Sequence, residues 1–94
     1  MTNIPTLNRF VLYTLTAQDA DKINHIRTHT RDAVLQGNIA EAGQTFPMLI
    51  VRVWGEQEDS AVNGQVFLDG NDVLWKTSVS VGEGEGRFAW PVRR

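Results

Sequence analysis

The side chains best suited to bind a ligand alternate along the C-terminal half of this chain. Arg52 and Trp54 alternate in the segment MLIVRVWG, and the next two segments carry Asn63, Gln65, Phe67 and Lys76. Cationic groups neutralise phosphate, aromatic rings stack on bases, and carboxamides hydrogen bond to base edges. The alternation therefore predicts a mixed sheet face able to bind an anionic, ring-bearing molecule. The same pattern is typical of a half-solvated face whose aromatic residues cover a helix or a neighbouring subunit.

The two histidines, His25 and His29, stand four residues apart, with Asp21 one turn before them. On a helix these side chains would share one stripe, which resembles half of a metalloprotease motif. Ile26 occupies the position where that motif needs its glutamate, and the chain contains no cysteine to complete a metal site. The stripe is therefore interpreted as solvated helix surface, and no metal or cofactor is predicted.

Other motifs that could support catalysis lack the partners they need. The segment GEGEG (82–86) does not have the spacing of a phosphate loop, and its glutamates would repel phosphate. Ser78 and Ser80 have no histidine nearby in sequence to activate them. Asp69 and Asp72 are typical of turn residues that hydrogen bond to their own backbone. The sequence therefore predicts that the protein is not an enzyme.

Composition favours one domain over residues 1–94. The chain has 94 residues, a formal net charge of −2 and no cysteine, so disulfides and thiolate chemistry are excluded. A net-acidic surface disfavours binding to duplex nucleic acid. No stretch approaches the ~20 apolar residues of a membrane span, and the N-terminus lacks a signal-peptide pattern. We therefore expect a cytosolic protein with no membrane partner. Because small domains are marginally stable, we also expect a homo-oligomer.

Hydrophobic periodicity divides the chain into an N-terminal strand and helix and a C-terminal run of strands. The segment FVLYTL (10–15) predicts a strand. The segment TAQD predicts a capping box, with Thr16 as N-cap and Asp19 at the third helical position. Gly37 is the predicted helix stop. The predicted apolar face of this helix consists of Ala20, Ile23, Ile26, Ala33 and Val34.

Four later segments predict strands, at residues 48–55, 61–68, 72–81 and 87–90. The predicted fold is α+β: an N-terminal strand and one helix packed on a curled antiparallel β-meander of three to four strands. The stretch FLDGNDVLW (67–75) predicts a hairpin. Asp-Gly or Gly-Asn at its tip would supply the positive φ that tight turns require, so Gly70 is expected in that conformation.

The length of the hairpin connection decides which side chains share a face. A connection of two or four residues would place on one side Val62, Val66, Leu68, Val73, Trp75 and Val79. It would place on the other side Asn63, Gln65, Phe67, Leu74 and Lys76. A three-residue connection would reverse this pairing.

Four motifs lie between Tyr13 and Pro91: YTLTAQDADKIN, FPMLIVRVWG, the hairpin SAVNGQVFLDGNDVLW, and GEGEGRFAWP. They resemble motifs of small bacteriophage-encoded accessory proteins, whose hairpin follows the pattern AVN-QV-LDGND--W. Those proteins carry an inserted segment and a run of arginines after IN, where this chain has HIRTHTRD. Arg27 and Arg31 are then the candidates for a basic site on the helix.

The resemblance implies a bacteriophage accessory protein. In size and in its Arg, Asn and Trp content the chain is similar to viral sponge proteins, which sequester nucleotide immune signals of host Thoeris or CBASS defences. The implied role is counter-defence in the host bacterial cytoplasm, by binding a cyclic dinucleotide or a cyclic ADP-ribose isomer without catalysis. The expected ligand-binding residues are Arg52, Trp54, Asn63, Gln65, Phe67, Asn71, Lys76, Arg27 and Arg31. The alternative is a protein–protein interaction module, either an inhibitor of a host protein or a minor virion component.

Overall fold

The computed structural model describes residues 4–29 and 37–91, except for the side chain of His29. In this part of the chain the fold is α+β, with one helix and five strands. The elements are β1 (Phe10–Thr14), α1 (Ala17–His29), β2 (Thr45–Val53), β3 (Val62–Phe67), β4 (Val73–Val81) and β5 (Arg87–Ala89). The α+β class is confirmed. Each of the five strands matches a predicted strand segment, but the sheet is more than a meander because it closes into a barrel.

The barrel closes because β5 pairs with both β4 and β1. Every strand pair is antiparallel except β4 with β5, which is parallel. Parallel neighbours usually need a crossover of a dozen or more residues. Here the GEGEG segment makes the connection, with φ of 101° at Gly84 and 78° at Gly86, values that favour glycine. The backbone N–H of Gly86 also donates to the carbonyl of Thr14 at 2.8 Å.

The predicted capping box starts α1. The backbone N–H of Asp19 donates to Thr16 Oγ1 at 3.0 Å, and the N–H of Thr16 donates to Asp19 Oδ2 at 3.1 Å. The predicted continuation of the helix falls on residues 30–36, including Ala33 and Val34, which lie outside the described residues. Gly37, the predicted helix stop, forms an isolated bridge with Gly70.

Helix α1 packs on the barrel through a stripe that changes from apolar to polar along its length. Ala20 and Ile23 are buried in the core. One turn later, Asn24 exchanges two 2.9 Å hydrogen bonds with the backbone of Ala40. Ile26 is exposed, contrary to prediction, because the packed stripe continues through Asn24. The largest fully buried side chains are Val11, Tyr13, Leu15, Met48, Ile50, Val62, Val66 and Phe88.

The connection between β3 and β4 holds five residues, 68–72, and pairs Phe67 with Val73. An odd number reverses the predicted faces of β4, so Leu74 and Lys76 point inward, while Val73 and Trp75 point outward and are exposed. The inward direction predicted for Val62, Val66 and Val79 is confirmed by their burial, and Leu68 is half-buried.

Backbone conformation at the hairpin tip also differs from the prediction. Positive φ occurs at other glycines of the described chain and not at Gly70. In the longer connection the N–H of Gly70 donates to the carbonyl of Leu68 at 2.8 Å, a turn made without positive φ at Gly70. Two bulges shift the strand register, one between Ile50 and Arg52 and one on β4, where Ser78 has a φ of 52°.

Candidate functional site

Outward-pointing side chains of β1 to β4, with the residue that follows β2, form a surface that we name the aromatic face. Its members are Phe10, Leu49, Arg52, Trp54, Asn63, Gln65, Phe67, Val73 and Trp75. Strand register places Phe10 opposite Leu49, Leu49 opposite Gln65, and Gln65 opposite Trp75, so one row of side chains crosses four strands. The rings of Phe10 and Phe67 meet across β2 at 5.9 Å between centroids.

At one end of the aromatic face, three side chains hold each other in a fixed arrangement. The guanidinium of Arg52 lies over the indole of Trp54, 4.1 Å from the ring centroid. The indole Nε1–H donates to Asn63 Oδ1 at 3.0 Å, and that oxygen also accepts the backbone N–H of Ser78 at 2.8 Å. The β4 bulge thus orients Asn63, Asn63 orients Trp54, and Trp54 supports Arg52.

Asn63 therefore has a different role from the one predicted. It belongs to the aromatic face, yet it is 7% exposed, and its carboxamide oxygen is used by Trp54 and by Ser78. Burial of this amide is tolerated because its acceptor is satisfied within the protein. Asn63 supports the surface from below instead of reading a base edge.

The large rings of the aromatic face are well exposed, with 53% of Trp54 and 47% of Trp75 accessible to solvent. Phe10 and Phe67 are also exposed. Because an aromatic side chain covers ~200 Å², the four rings leave roughly 400 Å² of aromatic surface in water. A patch of this size is at the scale of the largest apolar patches on monomeric proteins, which are often functional.

Charge is distributed unevenly between the strands and the rest of the described chain. The five strands contain no Asp or Glu, so the described carboxylates lie in α1 and in the loops. The outward-pointing charges on the strands are Arg52 and Arg87. Ion pairs within the described residues join Arg27 to Asp72 and Lys76 to Asp19, and Arg52 takes part in neither. Arg52 is thus a strand cation in neither ion pair, although Glu56, Glu58 and Asp59 follow in the loop after Trp54.

Lys76, a predicted ligand-binding residue, points into the barrel instead. Its Nζ donates to Asp19 Oδ1 at 3.0 Å, and Asp19 also accepts hydrogen bonds from the Tyr13 hydroxyl and the Thr16 N–H. Burial alone would raise the pKa of Asp19, but the bonds from Tyr13, Thr16 and Lys76 outweigh it and lower that pKa. Burial, helped by Asp19, raises the pKa of Tyr13. This cluster ties α1 to the barrel.

Arg27, predicted on a basic helix site, holds the hairpin tip against the helix. Its Nε and Nη2 bind the two carboxylate oxygens of Asp72 at 2.8 and 2.7 Å, and Nη1 donates to the carbonyl of Asn38. Hydrogen bonding to Arg27 is the main reason that the pKa of Asp72 is lowered. Asn38 in turn bonds Asp69 through its backbone and its side chain. A Cβ on Gly37 would lie 2.6 Å from the Asp69 carbonyl, so glycine is required there.

The structure therefore brings together four of the nine predicted site residues as an accessible surface: Arg52, Trp54, Gln65 and Phe67. Asn63 lies beneath them, Lys76 points inward to Asp19, Arg27 on α1 binds Asp72 of the hairpin tip, Asn71 lies on that tip, and Arg31 lies outside the described residues. Sequence reasoning missed four members, Phe10, Leu49, Val73 and Trp75. The faces of the last two depend on the residue count of the 68–72 connection, which the strand pattern leaves open.

Of the histidine stripe, the structure describes the side chains of Asp21 and His25. Within residues 4–29 and 37–91, no three His, Cys, Asp or Glu side chains are grouped so as to hold a metal ion. His25 lies on the exposed side of α1, and the side chain of His29 is outside the described part.

Comparison of the chain with protein-family models, curated proteins and solved structures finds no match. The resemblance to bacteriophage accessory proteins therefore stays a prediction. No described helix is both long enough and apolar enough to cross a membrane.

Proposed function

We propose that the protein binds a small anionic, ring-bearing ligand of the nucleotide class on its aromatic face and sequesters it without chemical change. The observation that carries this proposal is the arrangement of Arg52 on Trp54, supported by Asn63, next to strands that contain no carboxylate. Held in place before binding, such a cation loses little side-chain freedom when it meets an anion. A guanidinium can also bind phosphate or carboxylate through two parallel hydrogen bonds.

Ring recognition is the second part of the proposal. Trp75 and Phe67 present exposed rings on neighbouring strands, and Gln65 lies directly opposite Trp75 in the sheet register. Stacking of a base on an aromatic side chain contributes ~1–3 kcal/mol and tolerates any base. The Gln65 carboxamide can donate to and accept from a base edge, which would add discrimination between bases.

Sequestration is favoured over catalysis by the composition of the aromatic face. None of its nine members is a carboxylate, histidine, lysine or cysteine, the groups that most often transfer protons or attack substrates. The side chains supply positive charge, stacking and hydrogen bonds only. Sequestration of a cyclic dinucleotide or cyclic ADP-ribose isomer in an infected bacterium is the biological role that the phage resemblance adds to this proposal.

Docking of another protein is the second candidate function. It is favoured by the apolar end of the aromatic face, where Phe10, Phe67 and Val73 lie away from Arg52. Protein interfaces are enriched in aromatic residues and arginine and depleted in Lys, Glu and Asp. The aromatic face has that composition, and in this reading the Phe10–Phe67 pair would be its anchor.

Calorimetric titration with cyclic dinucleotides and cyclic ADP-ribose isomers, and with linear nucleotides as controls, separates the two candidates. Arg52→Gln should weaken binding about ten- to a hundredfold, because a charge-assisted bond contributes ~1.5–3 kcal/mol. Arg87→Gln is the matched control, since Arg87 is also an outward strand arginine but lies on β5, and its affinity should stay within about twofold of wild type.

Two outcomes would contradict the nucleotide proposal. If folded wild-type protein gives no heat with any cyclic nucleotide at high micromolar concentration, docking of a protein becomes the better account. If Arg87→Gln weakens binding as much as Arg52→Gln, the response reflects overall charge and not the aromatic face.

A further inference from the structure

We infer that the ligand site is completed by a second copy of this chain, packed with its aromatic face against that of the first. This inference rests on the proposed function and names the partner that encloses the ligand. Its starting point is that Trp54 and Trp75 are each about half exposed, at 53% and 47%. A planar ring stacked on Trp75 would be covered by this chain on one side only, and Trp54 already carries the Arg52 guanidinium.

One copy of the aromatic face therefore covers too little of a ligand. Small-molecule sites bury 70–90% or more of their ligand, usually in a concavity. Here the candidate residues stand on the outside of a closed barrel, where neighbouring side chains are supported by the sheet and not enclosed by it. A second surface is needed on the other side of the ring.

The aromatic face is compatible with a copy of itself. An isologous interface brings the same patch of two subunits together, so like charges at its centre would oppose assembly. The central row of this face, Phe10, Leu49, Gln65 and Trp75, carries no charge. Its one charged member, Arg52, is at the end of the face and stacks on Trp54.

The exposed apolar area of the aromatic face also supports a second copy as the partner. A specific interface of standard size buries ~800 Å² on each partner. The four rings of the aromatic face supply roughly 400 Å² of it, and Val73 adds further exposed apolar surface. Two copies packed on this face would bury the rings of both. A ligand held between them on the two-fold axis would meet both copies, at one ligand for two chains.

Sedimentation velocity of the wild-type protein from 5 to 200 μM tests the inference without any ligand. We expect a concentration-dependent dimer. Val73→Asp should raise its dissociation constant at least tenfold, because it places a carboxylate at the apolar end of the aromatic face. Ser80→Asp is the matched control on the same strand, exposed but outside the aromatic face, and it should leave the dimer unchanged. Circular dichroism confirms that both variants are folded.

Monomeric wild-type protein at 200 μM would overturn the inference, and so would a dimer that Val73→Asp leaves intact. Titration with cyclic di-GMP as the probe nucleotide adds a second reading, with one molecule bound for two chains expected. One molecule for each chain would overturn the shared site while leaving the proposed function in place. A dimer that resists Ser80→Asp, dissociates in Val73→Asp and binds no nucleotide would overturn the proposed function while leaving the second copy in place.

Discussion

Replacing Asp19 by Asn tests how the helix is joined to the barrel. The Asp19 carboxylate accepts hydrogen bonds from Tyr13, Thr16 and Lys76. A charge-assisted bond contributes ~1.5–3 kcal/mol, but asparagine keeps one acceptor oxygen and can retain part of the set. The Lys76 side chain is 30% exposed, so water can solvate its ammonium group when the Asp19 carboxylate is removed. We therefore expect a loss of about 2–3 kcal/mol in the free energy of unfolding.

Urea unfolding at pH 7 measures this loss, with Asp21→Asn as the matched control. Asp21 is on the same helix, two residues further along, and its side chain is exposed, so its replacement should change stability by less than about 0.5 kcal/mol. Equal unfolding free energies for the two variants would refute the role given to the Asp19 cluster.

The same residue predicts a pH dependence. The folded-state pKa of Asp19 lies below its ordinary value, so its stabilising contribution is present above the unfolded-state pKa, ~4. That contribution is lost as the pH falls through the folded-state pKa. Between pH 5 and 2 the wild-type protein should therefore lose more stability than Asp19→Asn does. Parallel curves for the two proteins over that range would contradict the pKa shift.

Three further changes test individual elements of the fold. Thr16→Ala removes the N-cap acceptor of α1 and should cost ~0.5–2 kcal/mol in urea unfolding; a change near zero would contradict the capping box. Gly86→Ala and Gly84→Ala each place a side chain at a positive φ, but only the new Cβ at residue 86 also approaches a side chain, Thr16 Cγ2, at 3.2 Å. The Gly86→Ala variant should therefore have the lower melting temperature. Equal melting temperatures would count against this packing. Asp72→Asn weakens the bidentate bond to Arg27 and should lower the free energy of unfolding by ~1.5–3 kcal/mol. Amide exchange should become faster at residues 68–72 only. Unchanged exchange there would show that the Arg27–Asp72 pair does not hold the hairpin tip.

Sequence reasoning succeeded where the determining signal is local. The capping box depends on four consecutive residues, Thr16 to Asp19, and its two hydrogen bonds form as predicted. The strands on either side of the hairpin follow from runs of apolar and β-branched residues, whose local preference agrees with the tertiary structure.

Sequence reasoning failed where a contact distant in sequence decides the direction or the partner of a side chain. The face on which Trp75 lies depends on whether the connection before it has an odd or even number of residues, and pattern alone left that number open. The direction of Lys76 follows from the same count and is reinforced by Asp19, 57 residues away in sequence. Arg27 was predicted to bind a ligand because its actual partner, Asp72, lies 45 residues further along the chain and is not recognisable from local pattern.

Closure of the barrel was likewise outside the reach of periodicity. A curled sheet is consistent with the strand pattern, but the parallel pairing of β5 with β4 depends on the unusual backbone angles of the GEGEG connection. Periodicity reports which side chains are buried and carries no information about such angles.

Native mass spectrometry of the protein mixed with equimolar cyclic di-AMP, cyclic di-GMP and cyclic ADP-ribose would show whether the aromatic face holds a nucleotide, because it reports the number of chains and the mass of any bound molecule together. For the wild-type protein we predict a species of two chains carrying one nucleotide, which Arg52→Gln reduces at least tenfold and Arg87→Gln leaves unchanged. Unliganded protein alone, at nucleotide concentrations up to 500 μM and with both variants indistinguishable from wild type, would contradict the assignment of the aromatic face as a nucleotide site.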